Sequence, residues 1–210
     1  MVTSEMIRQA KMTMHDYVLA KWLAEDVFST KWWGFVALII FSYILCFSLL
    51  DKRRFTQILL FGSLIAVSSV VISIVGSNFN LWSYKSRVVP TIPSPFVYDL
   101  TIIPLYYMLV YQYSPTWKLF IIWNVVLAGI IAFGYFPALS ALKVVSLENW
   151  SYFGFFVVNF SLAVIARAVV LGVMGMENSR RNSYSIESSI NMTAQPAMKP
   201  LDDEKYTKDD

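Results

Sequence analysis

Residues 32–50 read WWGFVALIIFSYILCFSLL, and the fold turns on this stretch. It carries no charge, and a helix needs roughly 20 mostly apolar residues to cross a hydrocarbon core of about 30 Å. The cluster Asp51-Lys52-Arg53-Arg54 stops it abruptly. Working outward, four more stretches share its character. The second, 55–75, ends at Gly76-Ser77-Asn78, and its many serines are tolerable because a helical Ser can bond back to its own turn. The third, 97–113, is short and interrupted by Pro104, and only Ser114-Pro115 separates it from the fourth, 117–137. Those two therefore form an antiparallel hairpin. The fifth is 150–175. The expected fold class is all-α, a polytopic transmembrane bundle of about five helices across 32–175.

Composition agrees. The chain is 57% hydrophobic and 15% charged, with a mean hydropathy of +0.54. A soluble domain would spread its charges along every segment. Here they gather in 1–31, at Asp51 to Arg54, in a few loop positions and after Glu177. Between 76 and 96, Pro90, Pro93 and Pro95 predict an extended loop, with Trp82 and Tyr84 at the membrane interface. Residues 138–149 read as another loop.

The two ends are different material. Residues 1–31 mix charges with Met6, Ile7, Met14, Val18, Trp22, Leu23 and Phe28 at helical spacing, which predicts an amphipathic helix on the membrane surface or against the bundle. An ordinary solvent-exposed helix would carry the same pattern. Residues 176–210 are rich in Ser, Asn, Asp and Lys, too polar to offset the entropy of folding, and are expected to be disordered.

Several function classes fall away. A net charge of +3 without a basic stripe offers no nucleic-acid footprint. The single cysteine, Cys46, forbids an intrachain disulfide, and the single histidine, His15, excludes a multi-histidine metal site. No metal site and no cofactor are expected. Glycine-rich phosphate loops, nucleophile elbows and Cys-x-x-Cys pairs are missing from the sequence.

Orientation follows from basic residues in short loops, which favour the cytoplasmic side. With five crossings, Lys52, Arg53, Arg54, Lys118, Arg180 and Arg181 share one face, while Lys21, Lys31, Lys85, Arg87 and Lys143 share the other. The compact first cluster predicts a multi-pass cell-membrane protein with its N-terminus outside and its C-terminus cytoplasmic.

Arg167 is the most informative residue, because a central Arg costs about 2.5–3.5 kcal/mol to insert. Either it snorkels to the inner face or it meets a polar partner. Asp99 begins the third span at the opposite face, about 20 Å away, so no direct pair is expected. Asn124 and Tyr107 lie at matching depth, and Arg167, Asn124 and Tyr107 form the candidate intramembrane cluster. Asp99 with Tyr98 is a candidate interfacial site, although Asp99 could equally be an exposed helix-start carboxylate. Asn159 is expected to bond across helices.

Leu81-Trp82-Ser83-Tyr84, the Pro-rich loop, Asp99-Leu100 before Ile103-Pro104, Tyr113-Ser114-Pro115 and Asn149-Trp150 form an ordered series. That series, across roughly 50–170, resembles a family of small uncharacterised polytopic membrane proteins of spore-forming Gram-positive bacteria. The resemblance implies a bacterial cell-membrane location and no established activity. Both terminal segments are longer here than that family's pattern.

Three functions compete. The first is a non-enzymatic scaffold or accessory subunit that binds membrane lipids, or a protein partner through its termini. The second is a small transporter or channel component with a polar site around Arg167. The third is a lipid-modifying enzyme using Asp99.

Overall fold

The protein is described by a computed structural model, which places residues 3–85, 88–90 and 96–193. Arg87, Pro93, Pro95 and the tail beyond Thr193 lie outside the described residues. The chain divides into two units, Met1–Val170 and Leu171–Asp210.

The first unit opens with helix α1, Ser4–Lys21, capped by the Thr3 hydroxyl. Met6, Ile7, Ala10, Met14 and Tyr17 fall on one side of it at helical spacing, yet the helix buries no residue. A π-helical turn, Trp22–Asp26, closes it, and Phe28, in the left-handed region at φ 59°, redirects the chain. Ser29 then caps α2, Thr30–Leu49. The Asp51 side chain caps a tight 3-10 turn, Lys52–Arg54, which feeds α3, Phe55–Asn78.

Among the described residues, four helical stretches are long and apolar enough to cross a membrane: Thr30–Leu49, Lys52–Asn78, Trp117–Ala141 and Tyr152–Glu177. Together with the near absence of sheet, they establish an all-α bundle with a membrane location. The third expected stretch differs. It is built as α4, Phe96–Leu100, and α5, Ile102–Tyr113, broken at Thr101. A short, broken helix survives at membrane depth when protein rather than lipid surrounds it. This one is surrounded: Ile102, Ile103, Pro104, Leu105, Tyr107, Met108 and Tyr111 are all buried. It packs against α2 and α3, and against α6, Trp117–Ile130.

The approach of α5 to α3 depends on small residues. The buried face of α3 includes Gly62, Ala66, Ser69, Ser73 and Gly76. At Gly62 an added Cβ would collide with the Met108 side chain. Serines bond back to their own turns as expected at Ser42 and Ser63. Ser69 is different, since its buried hydroxyl has no partner.

After α6, a π-helical turn at Ile131–Tyr135 leads into α7, Phe136–Ala141. The two expected loops meet here as a small ribbon. Strand β1, Trp82–Tyr84, pairs antiparallel with β2, Val145–Leu147, in the register Trp82 to Leu147. Aromatic and β-branched residues in both segments favour the extended form. The final helix, α8, is Tyr152–Thr193, and the second unit begins within it. Disorder was expected from 176; instead the helix runs on to Thr193. Glu177, Arg180 and Arg181 are good helix formers, and neither Pro nor Gly falls between 176 and Thr193.

Candidate functional site

The sequence nominated two polar sites, and the structure places them at opposite ends of α5. Arg167 on α8 is only 3% exposed. Its guanidinium donates to the Ser114 carbonyl at 2.7 Å and to the Pro115 carbonyl at 3.1 Å. Its charge also lies over three rings, with centroids at 4.5 Å for Phe120, 5.1 Å for Trp117 and 5.4 Å for Tyr111. Cation–π contacts range from about 0.5–1 kcal/mol at exposed rings to about 2 kcal/mol or more at desolvated ones. Arg167 thus ties α8 to the turn between α5 and α6.

The expected triad is not what forms. Arg167 hydrogen-bonds to neither Asn124 nor Tyr107. Asn124, fully buried, donates from Nδ2 to the Phe160 carbonyl at 3.0 Å, which joins α6 to α8. The Asn124 Oδ1 and the Tyr107 hydroxyl have no partner. Tyr111, one turn further along α5, takes the place given to Tyr107. Pro115 supplies no N–H and a tight turn leaves carbonyls short of donors, which keeps these two oxygens open to the guanidinium. Snorkelling to water is also excluded by this burial.

The same end carries a dense polar network. Asp51 donates its backbone N–H to Gln112 Oε1 at 2.9 Å, and Gln112 returns a bond to the Leu49 carbonyl at 2.7 Å. Gln57 donates to the Tyr111 hydroxyl at 2.7 Å. These bonds lock both inter-helix turns together.

At the other end Asp99 is 5% exposed, so the exposed helix-start reading fails. Tyr84 and Tyr135 lie near enough to sense its charge, and Ser73 hydrogen-bonds to it. Its Oδ2 nevertheless has no partner. Burial, and then the facing Asp99 carboxylate, push the Tyr84 phenol well above its usual range. Asp99 lines a cavity of about 20 Å³ together with Ser69, Ser73, Trp82 and Asn159. Asn159 bonds back to the Phe155 carbonyl at 2.8 Å, within its own helix rather than across helices. Tyr98 packs edge-on against Phe35 at 5.3 Å, and its hydroxyl is buried without a partner.

A third site was missed by the sequence reading. Lys21, Lys31, Lys85 and Lys143 line one cleft of about 500 Å³, with Glu25, Asp26, Ser29 and Thr30. Lys31 reaches the Leu142 carbonyl at 2.9 Å and Lys21 the Lys85 carbonyl at 3.3 Å. Among the described residues neither Lys85 nor Lys143 makes an ion pair. Lys143 adopts φ 58°, a left-handed conformation that a non-glycine residue rarely takes. These four lysines come from four separate segments, so no local motif marks them. Their shared membership of one predicted face was the only signal.

No protein-family model, curated protein or solved structure matches this chain.

Proposed function

We propose that the chain is a non-enzymatic component of the cell membrane that holds an anionic lipid headgroup in the four-lysine cleft. The observation that carries this reading is the convergence of Lys21, Lys31, Lys85 and Lys143 against only Glu25 and Asp26. The residues beside the cleft support a position at headgroup depth. Lys31 opens α2, and beside it Phe28, Trp32 and Trp33 pack ring against ring at 4.9–6.2 Å, the kind of aromatic group that marks a membrane–water boundary. Lys21 and Lys85 also border a second groove of about 660 Å³, walled by Met14, Tyr17 and Val18 of α1. An acyl chain fits that wall as a phosphate fits the lysines. In the orientation proposed from the loop charges, with the N-terminus outside, this is a lipid of the outer leaflet.

The test is lipid retention. Purified full-length protein would be reconstituted with equal phosphatidylglycerol and phosphatidylcholine, and the co-purifying lipid counted by native mass spectrometry. The wild type should retain phosphatidylglycerol selectively. Each lysine facing an anionic headgroup is worth about 1 kcal/mol, so K85Q/K143Q should lose roughly 30-fold in that preference. Equal retention of both lipids by the wild type would end the proposal.

A further inference from the structure

We infer that the cavity between Ser69, Ser73, Asp99 and Asn159 is a binding site for one small monovalent cation of the sodium class. The site is separate from the lysine cleft and does not depend on it. Its volume of about 20 Å³ admits a single guest no larger than a water molecule. Its oxygen-bearing side chains come from three helices: Ser69 and Ser73 on α3, Asp99 near the end of α4, and Asn159 on α8. Oxygen ligands of this kind suit hard cations. Two of these oxygens, Asp99 Oδ2 and Ser69 Oγ, lack any partner, and their residues are 5% and 6% exposed.

Charge decides what the guest is. The lining holds one carboxylate and no lysine, arginine or histidine. A water molecule could accept from the unpartnered Trp82 indole N–H and donate to Asp99. It would leave the carboxylate either charged among apolar groups, a costly defect, or neutralised by a proton, the outcome that the melt below distinguishes from a bound cation. A monovalent cation cancels that charge, whereas a divalent one would leave an excess of opposite sign.

The backbone supplies a further reason. The break between α4 and α5 falls at Thr101, two residues from Asp99. Discontinuous helices buried at membrane depth are a recurrent setting for small-cation sites.

The experiment is a thermal melt of the full-length chain in detergent micelles. Sodium chloride is titrated against N-methyl-D-glucamine chloride at equal ionic strength. The melting midpoint should climb with the logarithm of sodium concentration and stay flat with the bulky cation. Asp99→Asn should abolish the climb, and Ser69→Ala should shift it to about tenfold higher sodium. If Asp99→Asn fails to fold, the Ser69→Ala curve decides alone. Identical midpoints in the two salts, as water or a proton on Asp99 would produce, overturn the proposal. A sodium response unchanged in Ser69→Ala places the ion elsewhere and overturns it too.

Discussion

Arg167 and Asp99 lie beyond opposite ends of α5, about 20 Å apart along its axis, and both are almost wholly buried. Around Arg167 the protein answers the charge with two turn carbonyls and three aromatic faces, and only the Nε lacks a partner. Around Asp99 it supplies a serine hydroxyl and leaves one carboxylate oxygen facing a small cavity. The first arrangement resembles a rivet, in which the chain itself, rather than a guest, answers the charge. The second is incomplete without one. Burial alone therefore does not separate the two charges; the cavity beside the unpartnered Asp99 oxygen does.

The largest effect should come from breaking the closed end. Arg167→Ala leaves the buried Ser114 carbonyl and the Pro115 carbonyl of the exposed turn without their donor, and removes the cation from three rings. A loss of about 3–4 kcal/mol is expected from denaturant unfolding in mixed micelles. A loss below about 1 kcal/mol would show that water or lipid can replace the guanidinium, and the contrast would fail.

The next effect probes the open end through its wall. At Gly76 an added Cβ would overlap the Trp82 ring, which lines the cavity. Gly76→Ala should cost about 2 kcal/mol by displacing that indole. It should also weaken the sodium dependence of the melt. An alanine variant with unchanged stability and unchanged sodium response would mean that β1 is not fixed against α3.

The smallest effect has the opposite sign. In sodium-free buffer Asp99→Asn keeps the shape of the side chain and removes an uncompensated charge, so stability should rise by about 1 kcal/mol. If instead the variant loses as much as Arg167→Ala, the carboxylate already has a partner and the two ends are alike.

The bilayer-crossing character was fully readable from residues such as those in 32–50, because lipid demands uncharged stretches of a set length and sequence records length and polarity directly. The opposed depths of Asp99 and Arg167 followed from the same counting. Tertiary structure alone decided the rest. The break at Thr101 depends on the shelter that α2, α3 and α6 give α5. The cage around Arg167 uses backbone carbonyls, which have no letter in a sequence. The lysine cleft draws on segments more than a hundred residues apart, from Lys21 to Lys143. The chain's polarity is a one-dimensional property, whereas partner choice for a buried polar group depends on which distant atoms packing brings within about 3 Å.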